Sequence, residues 1–229
     1  MPRYTVPEEG VHDYTEAPDI YFIVISNNLI SMSMYEISKK SWLQYFGDDA
    51  TVFRHEATIP STIEEGDAAI HLNFARKAPM KAFTKWRDFS PGEIASWYSH
   101  ARLWQKVIKT NKPSIILEHD CYLERPMNTT HLYNHEMVCF STYYGGSDPD
   151  IRAGNGYYIT PYAAKRLTKN RPQFINMNVD SWITKVCDNL GEYKYFARHI
   201  NHEDGINTCE HPDGKIEKEF LDLDETTRI

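Results

Sequence analysis

Six β-branched or aromatic side chains follow one another at Ile20-Tyr21-Phe22-Ile23-Val24-Ile25, with no polar position among them. A strand with one wet face alternates apolar and polar residues. A run that never alternates reads as a strand buried on both faces, which requires helices packed on either side of a parallel or mostly parallel sheet. The run is far short of the roughly 20 apolar residues that a membrane span needs. It stops at Ser26-Asn27-Asn28, a turn-forming cluster.

The following segments repeat the theme. Residues 32–46 carry apolar groups at Met34, Ile37, Leu43 and Tyr45 or Phe46, with Gly47 after them, so a helix with a glycine stop is expected. Thr51-Val52-Phe53 is a second candidate strand, completing a β-α-β opening. The sharpest local signal is Ser90-Pro91-Gly92-Glu93. Ser90 caps a helix, Pro91 suits its first position, and Glu93 closes a capping box. Ile94, Trp97, Ala101, Trp104 and Ile108 then recur at helical spacing until Asn111-Lys112-Pro113 ends the helix. Ser114-Ile115-Ile116-Leu117 is a short buried strand that delivers Glu118-His119-Asp120 at its carboxyl end. Residues 156–160 predict a strand and 161–168 a helix with Ala163, Ala164 and Leu167 inward. Val179-Asp180-Ser181-Trp182 opens a further helix with Asp180 in an N-cap position, and a strand is expected over residues 193–197.

The fold class expected is therefore α/β, one domain around a mostly parallel sheet. With 229 residues, 41% hydrophobic and 25% charged, the chain is long and apolar enough for a substantial core. No repeat or Gly/Ser linker divides it. Residues 1–19, with Pro2, Pro7 and Pro18 among acidic residues, read as an arm, residues 20–212 as the domain, and residues 213–229 as an acidic tail. Residues 1–19 hold no basic-then-apolar signal pattern. Cys121, Cys139, Cys187 and Cys209 lie far apart without a C-x-x-C pair, which suits a reducing cytoplasm rather than a disulfide framework or zinc ribbon. The formal charge of −7 argues against a protein that coats nucleic acid. That total averages over segments of opposite sign: Arg76-Lys77, Lys81, Lys85 and Arg87 form one basic stretch, and Lys165-Arg166, Lys169 and Arg171 another.

Glu118 and Asp120 lie two residues apart at a strand end, the end where open α/β sheets collect ligands. Paired carboxylates suit a hard divalent cation, Mg²⁺ or Mn²⁺, that also binds substrate phosphates. The order Gly92-Glu93, Ser99-His100, Trp104, then Ile115-Ile116-Leu117-Glu118-His119-Asp120 resembles glycosyltransferase family 25, the lipopolysaccharide and procollagen galactosyltransferase family. Gly156-Tyr157-Tyr158-Ile159-Thr160 with Ala164-Lys165-Arg166-Leu167, and Val179-Asp180, resemble later elements of that family. The family's acidic triplet has His119 as its middle member here, and no arginine follows Ser26-Asn27-Asn28-Leu29 through Met34.

The resemblance implies a GT-A type (Rossmann-like) domain and a metal-dependent transferase moving a hexosyl or pentosyl group from a nucleotide sugar, a UDP-sugar being the expected donor. A saccharide hydroxyl suits the family as acceptor, with transfer inverting the anomeric centre; a hydroxymethylated base in DNA, as phage-type sugar-modifying enzymes use, is a second expectation, drawn from the two basic stretches. The resemblance further implies Asp120, Glu118 and His202 as ligands of Mn²⁺ or Mg²⁺, with His199 the substitute for His202, and Asp180 as the catalytic base. Donor contacts are expected from Ser26, Asn27, Glu93, His100 and Glu118. Glu93 is already explained by its capping box, and His100 alternatively reads as a core histidine. The contrasting expectation is a degenerate member that binds a saccharide or nucleotide without turnover.

Overall fold

The structure, a computed structural model, describes residues 17–46, 50–63, 72, 78–79, 86–87, 89–123, 129–140, 156–171, 173, 175–193 and 197–199. Along the chain these form β1 (Asp19–Val24), α1 (Leu29–Phe46), β2 (Val52–Glu56), β3 (Ala78–Pro79), β4 (Trp86–Arg87), α2 (Pro91–Thr110), β5 (Ser114–Glu118), β6 (Cys121–Leu123), β7 (Met137–Cys139), β8 (Gly156–Ile159), α3 (Pro161–Lys169), α4 (Val179–Leu190), β9 (Gly191–Tyr193) and β10 (Ala197–His199). Most of the expected arm, residues 1–16, and all of the acidic tail lie outside the described residues.

Among the described residues the central sheet runs β2-β1-β5-β8-β7-β9. β1 pairs in parallel with β2 and β5, β7 pairs in parallel with β9, and β8 is antiparallel to both of its neighbours. Five of the six strands thus point one way, which is the mostly parallel α/β sheet expected from the sequence. The unbroken apolar run has its reason in the two core clusters. Tyr21 and Ile23 join Ile116, Met137, Cys139, Tyr157 and Ile159 on one face, under Trp97, Leu103 and Trp104 of α2, Leu167 of α3 and Ile183 of α4. Ile20, Phe22 and Val24 join Ile115, Leu117, Val138 and Tyr158 on the other, against Tyr35 and Trp42 of α1. Ile20, Ile115 and Ile116 are fully buried, and each such side chain contributes about 1.5–3 kcal/mol.

The helix boundaries follow from caps. Ser90 Oγ accepts from Glu93 N at 3.2 Å and Glu93 Oε2 accepts from Ser90 N at 2.9 Å, closing the expected capping box. At the other end of α2, Asn111 takes the left-handed conformation, φ 54°, and donates its N–H to Val107 O. α1 begins three residues before the expected position, because Asn28 Oδ1 accepts from Ser31 N at 3.0 Å and so turns the anticipated loop into an N-cap. The expected strand over 193–197 is two strands with different partners: Tyr193 of β9 pairs with Cys139 of β7, whereas Ala197 of β10 pairs with Leu123 of β6.

From β1 the chain passes through α1 on one face to β2, and from β2 through α2 on the opposite face to β5. Connections therefore leave β1 in opposite directions, and β1 and β5 flank a topological switch point, the place where open α/β sheets form a ligand crevice at the carboxyl ends of the strands. α2 runs back along the sheet, so its Ser90 end stands over this crevice and its Asn111 end lies near Asp19, whose N–H donates to Pro113 O.

Candidate active site

The loop leaving β1 forms one wall of the crevice. Ile25 N donates to Ser31 Oγ at 2.9 Å, and Asn28 N donates to Ile25 O at 3.0 Å, which folds residues 25–28 into a tight turn before α1. Ser26 N donates to Glu56 Oε1 at 3.0 Å, and the Ser26 hydroxyl donates to Glu56 Oε2. Glu56 thus fixes the turn from the end of β2. The expected donor contacts Ser26 and Asn27 sit in this turn, with Asn27 exposed and Ser26 half-buried.

The opposite wall is the end of β5. Ile23 of β1 pairs with both His55 of β2 and Glu118 of β5, so these three residues form one row across the sheet, on the face that α2 covers. Glu118 is 29% exposed, and its Oε1 lies 3.6 Å from Nε2 of His100, which is 1% exposed. The chain turns at His119 and Asp120, and Asp120 is 8% exposed. Both carboxylates bear on the Cys121 thiol, which burial first, then Asp120, then Glu118, pushes well above the usual thiol range. Among the described residues no three His, Cys, Asp or Glu side chains converge as a metal site. His202 lies outside the described residues, while His199 pairs in register with Cys121, the residue after Asp120.

The floor is aromatic. Trp104 Nε1 donates to the Tyr157 hydroxyl at 2.8 Å, and His100 Nδ1 lies 2.9 Å from the same oxygen. The His100 and Tyr157 rings stack with centroids 5.8 Å apart. Burial raises the Tyr157 pKa well above the usual phenol range, the Trp104 hydrogen bond opposes this, and the charges of Cys139, Glu118 and Asp180 add to it. Asp180 lies on the first turn of α4. The sequence assigned Asp180 the N-cap of this helix. The cap is Asn178, whose Oδ1 accepts from Ser181 N at 2.9 Å and whose O accepts from Trp182 N at 3.2 Å.

Residues 37–143 match the family model described as glycosyltransferase family 25 (LPS biosynthesis protein). That segment, just under half of the chain, is similar to family 25 glycosyltransferases. No curated protein matches this chain significantly in sequence. Among 52 similar chains of solved structures is a glycosyltransferase involved in the glycosylation of the major capsid of PBCV-1, at 12% identity and a TM-score of 0.41, covering 78% of this chain and 81% of that one. The matched segment begins within α1 and runs through β2, β3, β4, α2, β5, β6 and β7, and hence includes Glu56, His100, Glu118 and Asp120.

Glu93 lies at the N-terminal end of α2 with its carboxylate in the capping box. Four groups at the site escaped the sequence reading. Glu56 and His55 sit on β2 beyond the apolar Val52-Phe53, where the polar residues of an edge strand look like loop. Thr58 N donates to Ser99 Oγ at 2.8 Å, tying the exit of β2 to α2 across 41 residues. Tyr157 was legible as an aromatic wall, but its bonds to Trp104 and His100 depend on partners more than 50 residues away. Burial first, then Lys106, Arg102 and His100, lowers the His55 pKa from 6.5 to about 4, despite the opposing effect of Glu56, so it is neutral at pH 7.

Proposed function

We propose that this protein is a glycosyltransferase that moves a sugar from a UDP-sugar to an acceptor hydroxyl in a single inverting displacement. The observation that carries the reading is the switch point itself, where the Ser26-Asn27 turn after β1 and the Glu118 end of β5 leave adjacent parallel strands, with Asp180 on the first turn of α4. In this arrangement the turn after β1 receives the nucleoside, and the diphosphate lies toward Asp120. Asp120 and Glu118, with His202 or His199, would hold a divalent cation. Such an ion, Mn²⁺ or Mg²⁺, supplies neutralisation of the charge that grows on the leaving diphosphate.

Asp180 accepts the proton of the acceptor hydroxyl as that oxygen bonds to the anomeric carbon. The bond from the anomeric carbon to the diphosphate oxygen breaks with its electron pair leaving on the phosphate. The two events occupy opposite faces of the sugar, which inverts the centre.

The acceptor is read as a saccharide hydroxyl or a hydroxymethylated base in DNA. What supports the second is the polarity of α3: Lys165, Arg166, Lys169 and Arg171 occur over one helix and its exit with no carboxylate among them. A DNA acceptor requires the base to be flipped out of the duplex. The test is UDP release from a panel of UDP-sugars with Mn²⁺ and either acceptor class. DNA affinity that falls steeply with salt, and is lost on reversing those four charges, assigns the DNA acceptor, whereas salt-insensitive or absent binding assigns the saccharide. Nucleotide binding without release on any acceptor contradicts transfer and fits the degenerate member.

A further inference from the structure

Sugar transfer does not require a histidine inside the core, and burying an imidazole is costly unless its nitrogens are satisfied. His100 is nonetheless 1% exposed between α2 and β8. The direction of its hydrogen bonds follows from its neighbours. An indole N–H is only a donor, so the Tyr157 oxygen accepts from Trp104 Nε1 at 2.8 Å. The Tyr157 phenol, kept protonated by burial, has its own hydrogen left to give, and His100 Nδ1 faces it at 2.9 Å. Nδ1 is then an acceptor, and a neutral imidazole with an acceptor Nδ1 carries its hydrogen on Nε2. Nε2 is buried with no hydrogen-bond partner among the described residues, and what it faces is Glu118 Oε1 at 3.6 Å.

We propose that His100 is a positioning residue: Trp104 and Tyr157 fix it as the Nε2–H tautomer, and its N–H aims the Glu118 carboxylate across the switch-point crevice toward the donor. A carboxylate 29% exposed at a strand end has several rotamers open to it. An N–H held rigidly on its core side favours one of them, as outer partners of ligating groups do. At 3.6 Å the contact is longer than a direct hydrogen bond, so it orients Glu118 without consuming an oxygen that a ligand can use. The stacked Tyr157 ring holds the imidazole plane, and the donors run one way, from Trp104 to Tyr157 to His100, leaving the Nε2–H directed at Glu118. The role of Glu118 toward the donor rests on the transfer reading above; the tautomer does not.

The experiment is long-range ¹H–¹⁵N correlation of the histidine imidazoles in the full chain at neutral pH, paired with calorimetric affinity for UDP in the presence of Mn²⁺. Wild type is expected to show His100 with Nε2 protonated and Nδ1 bare. Tyr157→Phe is expected to lose that preference while staying folded, and to weaken UDP binding about 10-fold or more. His100→Gln, whose amide N–H₂ reaches toward the place of Nε2, is expected to retain more affinity than His100→Asn. A wild-type Nδ1–H tautomer, or a Tyr157→Phe variant with unchanged tautomer and affinity, overturns the proposal. Wild type that shows the Nε2–H tautomer but binds no UDP overturns the donor reading instead, which separates the two failures.

Discussion

Asn178 and Asp180 divide the first turn of α4 between them. Asn178 Oδ1 accepts the Ser181 amide hydrogen at 2.9 Å, while the Asp180 carboxylate is near enough to the Tyr157 hydroxyl to help raise its pKa. Capping and chemistry thus separate onto two residues, and they separate in mutants. Asn178→Ala is expected to cost about 1 kcal/mol of stability, the usual worth of an N-cap, or a Tm drop of roughly 2–4 °C for a chain of this size. Asp180→Asn is expected to lower kcat by about 10²–10⁴ with little change in Tm. Thermal melts and steady-state kinetics on both variants check this, and an Asp180→Asn enzyme with wild-type kcat removes Asp180 as the base.

Gly156 opens β8 where it pairs with Leu117 of β5. A Cβ there meets Cys121 Sγ at 2.7 Å and Leu117 Cδ2 at 2.9 Å, both in the fully buried core. Gly156→Ala is therefore expected to destabilise the fold by about 1–3 kcal/mol through overpacking. Urea unfolding should show a lower midpoint at an unchanged slope. Because Leu117 precedes Glu118, donor affinity should fall with it.

His55 gives stability a pH dependence of definite sign. Its pKa drops from 6.5 to about 4 on folding, so the unfolded chain binds the extra proton between those values. The native state therefore loses stability as pH falls from about 6.5 through about 4, and the His55 contribution is fully present above 6.5. His55→Gln is expected to flatten that part of the profile, read as the wild-type minus variant difference in unfolding free energy across this range. A difference that grows on raising the pH above 7 contradicts the assignment.

Legibility from the sequence followed how local the cause was. β1 was readable because both of its faces are apolar, and α2 because Ser90, Glu93 and Asn111 act within one turn of its ends. The strand end bearing Glu118 and Asp120 was readable for the same reason. The β10–β6 pairing was not, since three-residue strands carry no periodicity and their register is set by contacts some 75 residues apart. Nor was the task of Glu56, whose partner Ser26 lies 30 residues away. Asp180 was placed at a cap because Asp is a good N-cap residue, but Asn178 is equally good and comes first.

The central claim is that Asp120 at the end of β5 serves sugar transfer in the crevice between β1 and β5. Its most direct measurement is the rate of UDP release from a UDP-sugar with Mn²⁺ by wild type and by Asp120→Ala, with folding of both verified by thermal melt. The account expects turnover by wild type and a loss of about 10²-fold or more in the variant. A folded Asp120→Ala protein that releases UDP at the wild-type rate would contradict it.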